Sequence, residues 1–345
     1  MEQARRGHGG TWLLLAAGIG AMMAARAALQ KYRTINLIGK TVLITGGSRG
    51  LGLLLAREFG KQGARLALCA RDPEELARAR EELEWCGAEV FTYPCDITSQ
   101  EQVKQAVRAV EERFGPIDVL VNNAGIIQVG PMELMTPEDY EEALRTHFWG
   151  SLYMTLEALP GMRQRRQGRI VNIASFGGKV SVPHLLPYSV SKFAQVGLSE
   201  GMRAELAKDG ILVTTVCPGL MRTGSHVNAY FKGQNRAEYT LFSLLGAAPL
   251  ASMSAERAAR RIVAACKRGD AELLLTLPAR VGDIAATLFP NLTADLLGLV
   301  NRLLPGPGGI GTHRARGEES QTALSPSPLT ANIDQAAERN NEVLQ

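Results

Sequence analysis

Tyr188 and Lys192 stand four residues apart, a spacing that suits proton transfer at a carbonyl oxygen. On a helix that spacing projects both side chains from one face, within reach of a shared group. A free phenol ionises near pH ~10. A fixed ammonium beside it favours the phenolate and brings the hydroxyl toward the range where it exchanges protons with a carbonyl or alcohol oxygen at neutral pH. Alone, the pair is better described as a surface helix with a solvated lysine, since Tyr and Lys four apart is a common accident, so the decision rests on the stretches upstream.

The elements that would position such chemistry begin at residue 41. Residues 41–45 (TVLIT) read as a buried strand that runs into Gly46-Gly47-Ser48-Arg49-Gly50-Leu51-Gly52 and then into an apolar-periodic helix through Phe59. Glycines there allow the backbone to approach a pyrophosphate, and the amides at the helix start supply donors to it. A second strand (64–70) and a helix (73–85) complete a strand–helix–strand unit. Asp72 reads as the N-cap of that helix, with Pro73 at its first position and Glu75 closing a capping box. Further strands are expected at 90–95, 117–121, 169–174, 211–217 and 271–277, with helices at 98–114 and 255–267 and a long amphipathic stretch at 137–166.

The spacing Gly-x-x-x-Gly-x-Gly, the run Asn122-Asn123-Ala124-Gly125 and the pair Tyr188-x-x-x-Lys192, in that order, resemble the short-chain dehydrogenase/reductase family over residues 39–277. The resemblance implies an α/β fold, a single Rossmann-like doubly wound parallel sheet flanked by helices. It also implies a nicotinamide cofactor and hydride transfer between that cofactor and an alcohol or carbonyl. By the same resemblance Ser175, at the end of the fifth strand, donates a hydrogen bond to the substrate oxygen. Tyr188 transfers the proton, and Lys192 lowers the tyrosine pKa while holding the nicotinamide ribose. The cofactor would be lined by Gly46, Ser48, Arg49, Gly50, Leu51, Gly52, Asp96, Ile97, Asn123, Ala124 and Gly125, and by Pro218, Gly219 and Thr223 on the carboxamide side. Asp96 reads alternatively as a plain helix cap. The family has an asparagine where this chain has His147; its backbone carbonyl survives the substitution, and an imidazole can itself pass protons near pH 7. The other reading of His147 is a satisfied core histidine.

Charge chooses between the two nicotinamides. The second strand ends Cys69-Ala70-Arg71, with no carboxylate at residue 70 to bind a ribose 2'-hydroxyl or repel a 2'-phosphate. Arg71 can grip such a phosphate, with Arg49 as second cation, so NADP(H) is expected over NAD(H). Tyr230, Phe231, Tyr239, Leu241 and Phe242 lie where the family builds its substrate lid, residues 224–250, and they point to a hydrophobic carbonyl or alcohol of lipid-like, 3-oxoacyl, steroid or retinoid type. The rival reading is a noncatalytic NADP-binding sensor or membrane-associated scaffold.

Composition bounds the rest. A chain of 345 residues with 46% hydrophobic content can bury one large α/β core, and its formal charge of +4 is spread without a basic stripe, which argues against nucleic acid as partner. The 5 cysteines lack a Cys-x-x-Cys and read as reduced thiols, while the 5 histidines never take metal-ligand spacing, so no metal is expected. A homo-oligomer is expected. Residues 1–38 form an N-terminal hydrophobic segment and possible membrane anchor, uncharged over residues 12–25 but short of the ~20 residues a bilayer needs. Arg26, Lys31, Arg33 and Lys40 outnumber Arg5 and Arg6, placing the catalytic domain in the cytoplasm of a membrane-associated protein; a soluble cytoplasmic protein is the alternative. Residues 278–304 read as an amphipathic helical extension broken by Pro290. Residues 305–345, rich in Gly, Pro and Ser, read as a disordered tail with one late helix after Asp334.

Overall fold

The computed structural model describes residues 7–343, except the side chains of 7–16 and Ile19. Arg5, Arg6 and the first side chains of the apolar N-terminal run lie outside the described residues. Seven strands form one parallel sheet: β1 (Thr41–Thr45), β2 (Arg65–Ala70), β3 (Val90–Pro94), β4 (Val119–Asn122), β5 (Gly168–Ile173), β6 (Ile211–Cys217) and β7 (Glu272–Leu274), in the order β7-β6-β5-β4-β1-β2-β3. The strands are apolar on both faces because helices cover both. Helices α2 (Gly50–Gly60), α3 (Pro73–Trp85) and α9 (Ala255–Arg268) bury Leu53, Phe59, Leu76 and Ile262 on one side. On the other, α4 (Gln100–Phe114) and α6 (Gly150–Arg165) bury Val103, Val107, Val110 and Met154. The strand order reverses between β1 and β4, which opens a crevice at their carboxyl ends.

The long amphipathic stretch over 137–166 is divided. It runs as α5 (Pro137–Leu144), a π-helical turn Arg145–Trp149 and then α6. The wide turn carries His147 and, like many such turns, sits beside the site. Helix α7 (Leu186–Leu206) carries Tyr188 and Lys192, and the lid contains α8 (Asn235–Ala247). Asp72 caps α3 by accepting from the Glu74 and Glu75 amides at 2.8 and 3.0 Å, but the capping box is not formed. The Glu75 carboxylate turns instead to Ser48 Oγ and Arg49 Nη1, both at 2.7 Å, because the charge of Arg49 outcompetes a return to its own helix start.

Helix α1 (Gly7–Arg33) ends against α9, where the Ile35 amide donates to the Lys267 carbonyl and Arg169 Nη2 donates to the Arg33 carbonyl. Among the described residues no helix is long and apolar enough to cross a membrane. The extension splits at Pro290 into α10 (Leu277–Leu288) and α11 (Pro290–Asn301). Leu288, Leu292 and Leu296 on that hairpin, and Leu303 just after it, are exposed.

The tail departs furthest from expectation. Rather than a disordered segment, residues 305–343 fold back across the body. Ala315–Arg316 pairs antiparallel with Tyr230–Phe231, and α12 (Ala331–Arg339) buries Ile333, Ala336 and Ala337. A Gly/Pro/Ser-rich composition signals that a segment cannot bury a core of its own. Here the segment borrows one, packing against α8 and the turn after β6.

Candidate active site

Four strand ends build the crevice. From β1, Thr45 Oγ1 accepts the Asn123 and Ala124 amides at 2.9 and 3.1 Å, and Asn123 Nδ2 returns bonds to the Thr45 and Gly46 carbonyls at 3.0 and 3.1 Å. The glycine loop and the Asn-Asn-Ala-Gly turn are thereby one rigid unit. Its glycines are sterically required. At Gly46 (φ +62°) a Cβ would lie 2.9 Å from the Ala124 Cα, and at Gly52 it would strike the Gly46 carbonyl. From β4, Asn122 Nδ2 donates to Asn172 Oδ1 on β5 at 2.8 Å. Asn172 Nδ2 donates on to Ser199 Oγ on α7 at 2.9 Å, and Ser199 Oγ accepts from Thr215 on β6 at 2.7 Å. This buried chain of amides and hydroxyls ties the middle of the sheet to the helix that carries Tyr188.

Ser175, two residues after β5, accepts the Gly177 amide at 3.0 Å, and its hydroxyl acts on the Tyr188 phenol to lower its pKa. Burial is the largest influence on Tyr188 and pushes the phenol upward, against the lowering effect of Ser175, so the group rests protonated. The Lys192 ammonium stands 5.7 Å from the Tyr188 ring centre and donates to the Ile173 carbonyl at 2.8 Å and to Gln195 Oε1 at 2.9 Å. Burial lowers its pKa to about 7.

His147 is wholly buried and both of its ring nitrogens are engaged. Nε2 accepts the Ile126 amide at 3.1 Å, which leaves the proton on Nδ1 to face Ser191 Oγ at 2.7 Å; Ser191 in turn donates to the Tyr188 carbonyl at 2.7 Å. Burial first, and then Lys192, hold the imidazole well below its usual pKa. The geometry is that of a satisfied neutral histidine joining the Asn-Asn-Ala-Gly turn to α7, not of a proton carrier. A Cβ on Gly125 would lie 2.8 Å from its Nε2, so the glycine of that turn and the histidine fit each other.

The crevice encloses about 1040 Å³ and is lined by the glycine loop through Leu51, Arg71, Asp96, Ile97, Asn123 to Gly125, Ser175, Tyr188, Lys192, Pro218, Gly219 and Thr223, so the site residues singled out in the sequence, Gly52 excepted, converge on one cavity. Glycines that a Cβ would jam, helix amides and a long cleft fit a dinucleotide. Asp96 uses its carboxylate locally, accepting from the Thr98 amide and hydroxyl, while Ser99 caps α4. Arg71 is exposed at the cleft rim, whereas Arg49 is engaged by Glu75 and Glu342. In the lid, Tyr230 and Phe242 line the cavity, but Phe231 and Tyr239 stack edge-to-face at 5.5 Å in a small core of their own. Sequence reasoning missed Gln195, Ser191 and Asn228, which lie outside any motif, and the tail residues 340–342, hidden by the composition around them.

The short chain dehydrogenase family model matches residues 40–232. A Streptomyces coelicolor protein provisionally named a ketoacyl reductase is 42% identical over 186 residues, covering 53% of this chain and 71% of that protein. A dehydrogenase/reductase SDR family protein 7-like from Anopheles gambiae is 37% identical over 246 residues, covering 70% of this chain and 76% of that protein. Among solved structures, an actinorhodin polyketide ketoreductase crystallised with NADPH superposes with a TM-score of 0.62 at 32% identity, over 69% of this chain and 95% of that one. With the sheet order, the glycine loop and the serine, tyrosine and lysine gathered at one cleft, these matches make the chain a member of the short-chain dehydrogenase/reductase family of oxidoreductases.

Proposed function

We propose that the chain reduces the carbonyl of a hydrophobic substrate with NADPH, or runs the reverse oxidation, with Tyr188 as general acid. The observation that carries this reading is the convergence of Ser175, Tyr188 and Lys192 on one crevice, with the Lys192 ammonium 5.7 Å from the Tyr188 ring centre. When bound, the nicotinamide supplies the hydride. Ser175 holds the substrate oxygen, and Tyr188, protonated at rest, gives that oxygen its proton as negative charge develops. Lys192 stabilises the phenolate left behind. Arg71 supports the choice of NADPH as an exposed guanidinium at the cleft rim. Val182, Leu185, Met221, Phe242 and Leu245 give the cavity apolar walls, which supports a lipid-like or 3-oxoacyl ketone. The exposed leucines of α10 and α11 support interfacial attachment to a membrane, since α10 packs through Gly282 on Phe176, next to Ser175.

The test is NADPH oxidation with a panel of medium- and long-chain ketones and 3-oxoacyl thioesters. Tyr188→Phe should lower kcat by about 10²–10⁴-fold while leaving NADPH affinity intact, and Arg71→Ala should raise the KM for NADPH but not for NADH. Equal rates for the wild type and Tyr188→Phe would remove the catalytic reading and leave a nucleotide-binding protein.

A further inference from the structure

Residues 340–342 lie on the surface that would receive a dinucleotide's phosphates. The Gly50 amide, at the start of α2, donates to the Asn340 carbonyl at 2.8 Å. Asn341 Nδ2 donates to the carbonyls of Ser48 at 2.8 Å and Glu75 at 3.1 Å. The Glu342 carboxylate stands 3.4 Å from Arg49 Nε and accepts from Asn228 Nδ2 at 2.8 Å. A Cβ on Gly50 would strike Glu342 Oε1, so the opening that this glycine leaves is filled by the chain's own carboxylate. Helix α12 delivers the segment. Ala337 lies against Gly224, His226 Nε2 faces Asp334 at 3.2 Å, and Asn340 Nδ2 donates to the Thr223 carbonyl at 3.0 Å. The segment therefore reaches from the turn after β6 to the glycine loop, across the crevice.

A helix-start amide, a guanidinium and a glycine gap make a receptor for an anion. The receptor cannot hold a phosphate and a carboxylate on the same donors. We propose that residues 340–342 are a tethered competitor for the dinucleotide's phosphates, which makes Glu342 a determinant of cofactor affinity and requires the segment to lift before the dinucleotide seats. The idea rests on the reductase reading only in needing a dinucleotide to bind.

The competitor responds to pH. Docking buries Glu342 and pushes its carboxyl up to about 7, with Glu75 adding to the rise and Arg49 and the neutral Asn228 opposing it. An acid whose pKa is higher docked than free takes up a proton on docking. The docked form is then favoured in acid and loses ground as pH rises from the free carboxyl range through about 7.

The test is fluorescence titration of NADPH and NADH into the full chain, a chain ending at Arg339, and the full-length double variant Asn341→Ala/Glu342→Ala. At pH 6.5 both altered proteins should bind about tenfold tighter, as expected when the open crevice is a minor state of the intact chain, and the difference should shrink at pH 8.5. In the unaltered protein, saturating dinucleotide should speed amide hydrogen exchange over residues 331–343. Equal or weaker binding by both altered proteins, or protection of residues 331–343 by the dinucleotide, would overturn the proposal and make the segment a wall of the site. The ratio of NADPH to NADH affinity is read separately, so a preference for NADH would refute the cofactor choice and leave the competitor standing.

Discussion

At the scale of single residues, the site balances burial against charge. Lys192 is a cation enclosed by the fold, and burial brings its pKa down to about 7. A base whose folded pKa is depressed releases a proton on folding, so its burial costs stability at low pH. That cost is relieved as pH rises from about 7 toward the ordinary lysine range. Lys192→Met should therefore raise the melting temperature at pH 6.5 by several degrees, less at pH 9.5, while abolishing hydride transfer; differential scanning fluorimetry across pH reads the first effect and NADPH oxidation the second. The tyrosine–lysine pair was legible only together with the glycine loop and the Asn-Asn-Ala-Gly run upstream of it. The direction of the tyrosine's pKa was not, because the spacing suggests an ammonium pulling it down, whereas in the structure burial pushes it up and Ser175 is what opposes the rise. His147 is a similar case. Its type allowed proton transfer, whereas its two partners, the Ile126 amide and Ser191, fix it as a neutral brace.

At the scale of elements, strand and helix placement followed from hydrophobic patterning because every strand of a covered parallel sheet is a short apolar run bounded by turns. The run 41–45, the helix 73–85 and the strand 211–217 have the same bounds in the structure as in the sequence. The π-helical turn at Arg145–Trp149 was not legible, since it preserves the amphipathic pattern while adding one residue to a turn. Nor was the polar chain from Asn122 through Asn172 and Ser199 to Thr215, whose members come from four elements. Replacing Asn172 by Ala would remove one bond from each of its buried partners on β4 and α7, at about 0.5–1.5 kcal/mol for each bond lost. The expected outcome is a lowered urea midpoint with an unchanged slope, together with a loss of kcat that exceeds any change in KM, because α7 carries the acid.

At the scale of the whole molecule, the two segments after the catalytic fold treat their apolar surface differently. Leu288, Leu292 and Leu296 on the hairpin α10–α11, and Leu303 just after it, are left uncovered, while α12 buries its apolar face. Each leucine is worth about 1.5–3 kcal/mol when taken fully out of water. Replacing Leu288, Leu292 and Leu296 together by Ser should lower binding to phosphatidylcholine/phosphatidylglycerol vesicles more than tenfold in a flotation assay, without altering the melting temperature. Vesicle binding that survives the triple change would assign attachment to the N-terminal run instead. The path of the tail was beyond sequence reading, because a segment without a core of its own gives no periodic signal of the surface it will use.

The crossing made by residues 340–342 also has a temporal side. The glycine loop, the strand ends and Ser175, Tyr188 and Lys192, with the lining through Ala279, leave the ribosome before Asn340 does. At about 5–20 residues per second the interval is some seconds, long enough for domains of this kind to begin folding. On the proposal made above, a nascent chain passes through a period in which residues 340–342 do not yet cross the crevice, whereas in the finished chain a dinucleotide seats against them.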